Sequence, residues 1–306
     1  MVWHALATYK CRDFDRAALV LEGGSYDLEY VANLLASNSL PVLGGDVLTL
    51  LRRWPDIVDT LALLASRIST SKKKIEQLAS TVRYAAPFVP SRIFCAASNF
   101  VEHAREMGTA LAAKQDSEPY IFMKADSSII GPDDTVLLPS SSAMVDWEVE
   151  LAAVIGRGGR DITAATALDQ VAAYTIFNDV SARDQGRRKD FPFKNDWFRG
   201  KSYDTFGPFG PWLVPSALIP DPQNVVLALE VSGTVMQDGS TSEMIFSLAE
   251  QIAYLSRILT LRPGDVIATG TPTGVGMGRG VFLKPGDVMA ATISGIGSLR
   301  NPVAAR

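Results

Sequence analysis

Three acidic residues alternate with apolar residues in one short segment of the sequence. The segment reads Val145-Asp146-Trp147-Glu148-Val149-Glu150-Leu151. In an extended strand the acidic residues share one face and the apolar residues share the other. Carboxylates on one strand face repel each other unless water or a cation lies between them. Because apolar residues continue to Gly156, the strand is predicted to enter the interior, where a hard divalent cation would resolve the repulsion. An acidic face directed at solvent is the alternative.

Three more side chains have types and spacings that suit catalysis. Asp179 follows the apolar run 174–178 and would supply a carboxylate at a strand end, although by itself such an aspartate is more often a turn residue. His103 and Glu106 would share one face of a helix if their segment is helical. A carboxylate orients an imidazole and raises its basicity, which suits a general base. An ordinary surface pair is the alternative.

Basic side chains concentrate later in the chain. Lys201 lies in a polar segment with chain-reversing residues, where it could polarise a substrate oxygen or lie in solvent. Upstream, four cations occur within seven residues: Arg183, Arg187, Arg188 and Lys189. Such a cluster could close over an acidic substrate, although solvated loops often have the same composition.

The glycine-rich run 270–280 invites comparison with phosphate-binding loops. It lacks the GK[ST] ending of a P-loop, and it leads into the strand-like residues 281–283 instead of a helix. Nucleotide binding of the Rossmann type is therefore excluded. Close approach of the backbone to a small ligand remains open.

Composition narrows the classes of protein further. The chain has 306 residues, of which 47% are hydrophobic and 20% charged, as in folded globular proteins. The net charge of −4 gives no reason to expect nucleic acid or an anionic membrane surface as a partner. No apolar run approaches the roughly 20 residues of a membrane span, and charges come too early for a secretory signal. A cytoplasmic protein is expected.

The elements that must position these residues fall into two regions. Residues 1–88 are predicted to form a small α/β module, with one short strand followed by three helical patterns, ending near Pro87 and Pro90. Residues 89–306 are predicted to form a β-rich catalytic domain, and Ser247 with Glu250 indicates a capped helix there. The predicted strands of this region are Arg92–Ala97, Val145–Gly156, Ala173–Asp179, Val225–Ser232, Asp265–Thr269 and Asp287–Ser294.

Five motifs in a fixed order carry a resemblance to a known family. They are DWEVELAAVIG, FNDVSARD, GKSYDTFGPFGPW, LRPGDVIATGTPTGVG and LKPGDV. The chain resembles the fumarylacetoacetate hydrolase superfamily over residues 90–303, near its acylpyruvate hydrolases and 2-hydroxyhepta-2,4-diene-1,7-dioate isomerases. The resemblance implies an α+β chain with a mixed β-roll. It also implies Mg²⁺ or Mn²⁺, with Ca²⁺ as a third candidate, held by Glu148, Glu150 and Asp179.

The resemblance also implies roles for other side chains. His103 and Glu106 would form a water-activating dyad on a loop that orders when ligand binds. Arg183, Lys201 and Thr271 match positions that contact substrate, and Lys201 would also assist catalysis. Many relatives have a substrate-contacting Gln where this chain has Gly186, so Gln185 is the candidate substitute. The segment 185–199 is longer than in several relatives. A homodimer is implied.

The function expected from these residues is hydrolysis of a 2,4-dioxo acid that resembles an acylpyruvate. The ion would chelate the 1-carboxylate and the 2-oxo oxygen and stabilise the departing enolate, while His103 activates water. Isomerisation, hydration or decarboxylation of a 2-oxo acid would use the same metal platform and are the first alternatives. A non-catalytic 2-oxo-acid-binding protein is a more distant one.

Overall fold

The computed structural model describes residues 1–11, 14–35, 41, 43–190 and 192–306. The α-helices of this part are α1 Leu28–Leu35, α2 Val47–Leu51, α3 Trp54–Thr70, α4 Val101–Glu106, α5 Trp197–Lys201, α6 Leu248–Ile258 and α7 Gly276–Arg279. The strands are β1 Ala5–Cys11, β2 Phe14–Leu21, β3 Gly24–Asp27, β4 Tyr84–Ala85, β5 Ile93–Ala97, β6 Tyr120–Lys124, β7 Ile129–Ile130, β8 Val136–Leu138, β9 Val145–Asp146, β10 Val149–Ile155, β11 Val171–Asn178, β12 Ser181–Ala182, β13 Gly207–Pro215, β14 Val226–Val231, β15 Thr234–Ser240, β16 Val266–Ala268, β17 Val288–Ile293 and β18 Gly297–Ala305.

Local signals in the sequence explain where the longer helices begin. Pro55 lies in the first turn of α3, where its missing N–H is not needed. At the start of α6, Ser247 and Glu250 form the predicted capping box, each satisfying a backbone N–H of the other. Among the described residues no helix is both long and apolar enough to cross a membrane.

The strands form mixed sheets, as expected for an α+β chain. The largest sheet has eleven strands, with the main order β3-β2-β1-β13-β11-β10-β16-β5-β6, while β4 pairs with β1 and β7 with β13. A second sheet has the order β15-β14-β17-β18-β8, and β9 pairs with β12 alone. Most pairs are antiparallel, but β16 runs parallel to β5. The site residues described below lie at one end of β10 and β11, in the middle of the large sheet.

Different elements pack against the two faces of the large sheet. Leu50, Ile57 and Leu61 of helices α2 and α3 pack with Val154 and Phe177 in one core cluster. The opposite cluster joins the sheet to β14, β17, β18 and the apolar face of α6. Because both faces are covered, β10 and β11 are buried along their whole lengths.

The N-terminal region has more strand than the sequence analysis predicted. One strand was expected before the three helical patterns, but β1, β2 and β3 precede them, and the turn at Glu22 and Gly23 joins β2 to β3. The three helices α1, α2 and α3 lie where the apolar patterns predict them. Through β1 and β13 these strands extend the large sheet, with Leu6 opposite Leu213. A domain boundary near residue 88 stays a prediction.

The predicted acidic strand is interrupted in its middle. β9 ends at Asp146 and pairs with β12, whereas β10 begins at Val149 and pairs with β11 and β16. In the gap, the N–H of Glu148 donates to Asn178 Oδ1, and the N–H of Asp179 donates to the Glu148 carbonyl. The interruption therefore brings the end of β11 alongside Glu148.

Candidate metal centre

Three carboxylates from two neighbouring strands meet at the centre of the large sheet. Glu148 precedes β10, Glu150 lies within it, and Asp179 directly follows β11. An oxygen of each lies within 4.8 Å of an oxygen of both others. The exposed fractions of these residues are 4%, 1% and 1%. An acidic face directed at solvent and a simple turn role for Asp179 are therefore both excluded.

Cations compensate two of the three carboxylates directly. Lys201 Nζ lies 2.6 Å from Glu148 Oε2 and 2.6 Å from Asp179 Oδ2. Lys124 Nζ lies 2.6 Å from the other oxygen of Asp179, and Arg183 Nη2 lies 2.5 Å from Glu148 Oε1. Lys201 is thus part of the buried site and not of a solvated loop.

Glu150 has no such cation. Among the described residues its carboxylate forms no ion pair, and the Gly270 N–H donates to its Oε2 at 2.9 Å. Burial, together with the charges of Asp179 and Glu148, raises the pKa of Glu150 well above its usual range. A buried carboxylate in this position needs either a proton or a further cation. The oxygen donor set and the unbalanced charge therefore fit a hard divalent ion.

In contrast to Glu150, both Glu148 and Lys201 are stabilised in their charged forms. Burial alone would raise the pKa of Glu148, but Arg183 and Lys201 outweigh it and hold that pKa below its usual range. Burial alone would lower the pKa of Lys201, but Asp179 and Glu148 outweigh it and raise it. Glu148 is therefore a carboxylate and Lys201 an ammonium at neutral pH.

Asp146 supports the site without belonging to the triad. Its Oδ1 accepts from Arg183 Nε at 2.7 Å, and its Oδ2 accepts from the Met277 N–H at 2.8 Å. Burial raises the pKa of Asp146 to about 6, against the opposing effect of Arg183. Arg183 thus bridges Asp146 and Glu148 and orients the latter. Whether Arg183 also contacts substrate stays a prediction.

The proposed base lies beside the triad. His103 and Glu106 both lie on α4, and His103 Nδ1 is 3.4 Å from Glu106 Oε2. On its other side, His103 Nε2 is 3.9 Å from Glu148 Oε1. His103 is 5% exposed, so the pair is not an ordinary surface pair. Burial opposes ionisation of Glu106, but hydrogen bonds from His103 and the Gly274 N–H outweigh it and lower its pKa.

Backbone N–H groups of the glycine-rich loop donate hydrogen bonds to the carboxylates of Glu150 and Glu106. Besides the bond from Gly270 to Glu150, the Gly274 N–H lies 3.0 Å from Glu106 Oε1. Both glycines have positive φ values, +99° and +103°, which L side chains rarely adopt. Thr271 Oγ1 donates to the Val149 carbonyl at 2.8 Å. The loop therefore connects the triad to the dyad. The expectation that the run leads into a strand instead of a helix is wrong: the short helix α7 follows the loop, and residues 281–283 form no strand.

One cavity of about 210 Å³ opens onto these groups. The predicted site residues that line it are His103, Glu148, Glu150, Arg183, Lys201 and Thr271. Gln185 lies elsewhere: its amide donates to the Ser141 carbonyl and accepts from Arg199. The role of Gln185 in substrate binding stays a prediction without support from its position.

Two residues of the site were missed from the sequence. Lys124 ends β6 and its side chain is 0% exposed, where it pairs with Asp179. Gln237 on β15 accepts from the Val149 N–H and donates to Thr271 Oγ1 and the Pro272 carbonyl. Neither lies in a motif, and each reaches the site through a strand distant in sequence. A lysine closing the mostly apolar run 120–123 was the only available signal for Lys124.

Comparison with known proteins decides the family. A family model described as the fumarylacetoacetate (FAA) hydrolase C-terminal region matches residues 92–304, more than half of the chain. The chain belongs to the fumarylacetoacetate hydrolase family. The superfamily expected from the five motifs is thus confirmed, and the family is one of enzymes.

Relatives in this family include both hydrolases and a tautomerase. The chain is 44% identical over 227 residues to human mitochondrial oxaloacetate tautomerase FAHD2A, covering 73% of this chain and 70% of that protein. A fumarylacetoacetate hydrolase from Exiguobacterium antarcticum has 33% identity and a TM-score of 0.77, covering 99% and 100%. Maleylpyruvate hydrolase from Sphingobium, solved with manganese(II) and pyruvate, has 25% identity and a TM-score of 0.76, covering 98% and 99%.

Proposed function

We propose that this member of the family hydrolyses a carbon–carbon bond in a 2,4-dioxo acid resembling an acylpyruvate. The observation that carries the proposal is the position of His103, between the carboxylate of Glu106 and the triad. A base in that position can act on water or on an acidic carbon next to the ion site. The small cavity that opens onto the triad suits a short 2-oxo acid.

Glu148, Glu150 and Asp179 would hold a divalent ion, Mg²⁺ or Mn²⁺, with Ca²⁺ as the third candidate. When bound, the ion supplies a Lewis acid for the 1-carboxylate and the 2-oxo oxygen of the substrate. The manganese in the Sphingobium relative supports this assignment. Lys124 and Arg183 donate to carboxylate oxygens of Asp179 and Glu148, and Asn178 accepts from the Glu148 N–H, so that these contacts fix the position of both ligands.

His103 performs the proton transfers in the proposed reaction. Its Nε2 takes a proton from water, which attacks the C4 carbonyl of the substrate. The C3–C4 bond then breaks, its electrons form the enolate of pyruvate, and protonation at C3 gives pyruvate and a free acid. Glu106 keeps the imidazole oriented and stabilises the imidazolium that forms. Lys201, as an ammonium, stabilises negative charge on a substrate oxygen.

Keto–enol tautomerisation of oxaloacetate is the second candidate. The name of the human relative favours it. His103 would then move a proton between C3 and an oxygen without activating water, so the same dyad serves both reactions. Decarboxylation and hydration use the same chelated 2-oxo acid but have no specific observation in their favour.

The test supplies the purified protein with Mg²⁺ or Mn²⁺ and a panel of acylpyruvates, oxaloacetate and 2-hydroxymuconate. Pyruvate release from an acylpyruvate, followed by a coupled dehydrogenase, is the expected result. The loss of enol absorbance without pyruvate release would replace the hydrolase proposal with the isomerase or tautomerase one. No turnover of any compound, with tight binding of a 2-oxo acid, would support the non-catalytic binding protein.

A variant separates catalysis from metal binding in the same assay. His103→Gln should lower kcat by about 10²–10⁴, the usual contribution of a general base, and leave Mn²⁺ affinity unchanged. Glu102→Gln is the matched control, since Glu102 is on the same helix but exposed, and pairs with Arg105. Unchanged turnover in His103→Gln would remove His103 from the mechanism. A cytoplasmic location and a homodimer stay predictions, which fractionation and sedimentation can check.

A further inference from the structure

Val149 lies between Glu148 and Glu150, and both of its backbone polar groups are bound by side chains. Its N–H donates to Gln237 Oε1 at 3.0 Å, and its carbonyl accepts from Thr271 Oγ1 at 2.8 Å. The N–H belongs to the peptide group that joins Glu148 to Val149, and the carbonyl belongs to the one that joins Val149 to Glu150. Because a peptide group is planar, the two bonds fix both links between the two carboxylate residues.

These two side chains bond to β10 beyond the end of its ladder with β16. The ladder covers residues 152–154 of β10, so Val149 lies outside it. On the opposite edge of β10, the Glu148 carbonyl accepts from the Asp179 N–H at 2.8 Å. The peptide group between Glu148 and Val149 is therefore held by the third member of the triad on one edge and by Gln237 on the other.

Gln237 also contacts the glycine-rich loop. Its Nε2 donates to Thr271 Oγ1 and to the Pro272 carbonyl, both at 2.8 Å. The partners decide the orientation of the amide, because the Val149 N–H can only donate and the Pro272 carbonyl can only accept. The Thr271 hydroxyl therefore accepts from Gln237 and gives its one proton to the Val149 carbonyl. Gln237, Thr271 and Val149 form a closed ring of hydrogen bonds, and the two side chains are 1% and 2% exposed.

Other residues of β15 pack against the same loop. A Cβ at Gly239 would lie 2.6 Å from Pro272 Cβ, and a Cβ at Gly274 would collide with the Met236 carbonyl. Both close approaches depend on glycine. β15 therefore shapes the loop whose N–H groups bond to one carboxylate of the triad and to the dyad.

We infer that Gln237 is a positioning residue of the metal centre, which sets the orientation of Glu148 relative to Glu150 and the position of the loop beside them. Gln237 does not line the cavity, so its effect passes through Val149 and Thr271. The inference rests on the proposed function, because the triad must hold an ion. It makes the affinity for that ion depend on a side chain from the second sheet.

The test replaces Gln237 with methionine, which keeps the length of the side chain and removes all three hydrogen bonds. Mn²⁺ affinity in calorimetry should fall about 10–100-fold, the usual cost of losing a group that orients metal ligands. The electron paramagnetic resonance spectrum of bound Mn²⁺ should also change, since the carboxylates take a new orientation, whereas a loss of stability alone would move neither quantity. Urea unfolding without metal shows whether the variant is folded.

A second variant covers the case in which Gln237→Met does not fold. Gln237→Asn keeps a polar group at this position but withdraws the amide by one methylene, so that it cannot reach all three partners. It should show the same loss of Mn²⁺ affinity and the same change of spectrum.

Gln251→Met is the matched control. Gln251 is 0% exposed, and the Phe246 carbonyl that accepts from it also accepts from Asn99, so this carbonyl keeps a donor. Mn²⁺ affinity should be unchanged there, and an equal loss would indicate general disruption and overturn the inference. Natural affinity and an unchanged spectrum in the Gln237 variants would also overturn it but leave the proposed function intact. No Mn²⁺ binding by the natural protein would instead refute the metal centre, and the proposed function with it.

Discussion

Glu148 and Glu150 are two residues apart in the sequence, yet their surroundings favour opposite protonation states. Arg183 and Lys201 stabilise the charged form of Glu148, whereas Glu150 has one backbone N–H and two neighbouring carboxylates. Glu148 and Asp179 therefore have cationic partners whether or not an ion is bound. Glu150 is the ligand that depends most on the ion.

Replacing Glu150 with Gln should weaken Mn²⁺ binding more than a change at a residue that only hydrogen-bonds a metal ligand. Changes of that second kind cost about 10–100-fold in metal affinity. The amide keeps the shape of the side chain and can still accept from the Gly270 N–H. Calorimetry or electron paramagnetic resonance of Mn²⁺ gives the affinity. Glu102→Gln, an exposed change, is the control, and equal affinity in both variants would remove Glu150 from the ligand set.

At the scale of elements, two short segments hold the site together. α7, with the loop before it, places Gly274 and Met277 against Glu106 and Asp146. β6 brings the buried Lys124 to Asp179. All three contacts join segments more than 50 residues apart in sequence, and each of the two elements can be tested by one substitution.

Gly278→Ala in α7 should lower activity without destabilising the fold. Gly278 is exposed, but a Cβ there would collide with the Glu106 carboxyl group and push it from His103. Alanine favours a helix over glycine, so Tm should stay equal or rise while kcat falls.

Removing the displaced side chain tests the cause of that loss. Glu106→Ala removes every atom that the new Cβ would meet, so Gly278→Ala should cost no further activity when it is added to Glu106→Ala. Gly23→Ala, where a Cβ would meet nothing within 4 Å, should change neither quantity. A parallel fall of Tm and kcat in Gly278→Ala would point to general disruption instead.

Lys124→Met in β6 should destabilise the protein by about 3–5 kcal/mol, the usual cost of removing one partner of a buried ion pair. The Lys124 side chain is 0% exposed, so no water can replace its ammonium beside Asp179. Urea unfolding gives the free energy. Lys114→Met is the comparison: its pair with Glu250 is at the surface, where such a change costs about 0–1 kcal/mol. Equal losses in the two variants would contradict the structural role of Lys124.

At the scale of the whole molecule, the N-terminal strands share one sheet with the catalytic strands. His4, just before β1, is 2% exposed, and its Nε2 has no hydrogen-bond partner in the part of the chain that the structure describes. Burial lowers the pKa of His4, against a weaker opposing effect of its bond to the Val2 carbonyl. Protonation of this one side chain is therefore coupled to the stability of a sheet that also contains the metal centre.

The contribution of His4 to the stability of the folded chain should fall as pH decreases below about 6.5, the usual pKa of histidine. The raised pKa values of Asp146 and Glu150 contribute in the opposite direction. At low pH the unfolded chain binds a proton at His4 that the folded chain resists, and stability rises with pH wherever the unfolded state binds more protons. His4→Gln should reduce this slope. Urea unfolding from pH 5 to 8, with a chelator present, gives the difference between the two proteins. Identical slopes would show that His4 does not contribute.

Much of the site was predictable from the sequence, because its ligands lie in motifs with a strong local pattern. The alternation around Glu148 and Glu150 indicated a shared face, and the spacing of His103 and Glu106 indicated one helical turn. Five ordered motifs indicated the family, and the helix after Ser247 was indicated by its capping box. The alternation, the helical spacing and the capping box each depend on residues within a few positions of one another, and each of the five motifs is itself a short segment.

Only the tertiary structure shows which charged side chains pair with each other. Lys124, Gln237 and Asp146 act through contacts between strands distant in sequence, and no local pattern encodes such pairings. The same holds for the break between β9 and β10, which depends on Asn178 of the neighbouring strand. Local periodicity reports the face on which a side chain lies. Its partner across the sheet, and therefore its pKa, follows from the register of strands that meet only after folding.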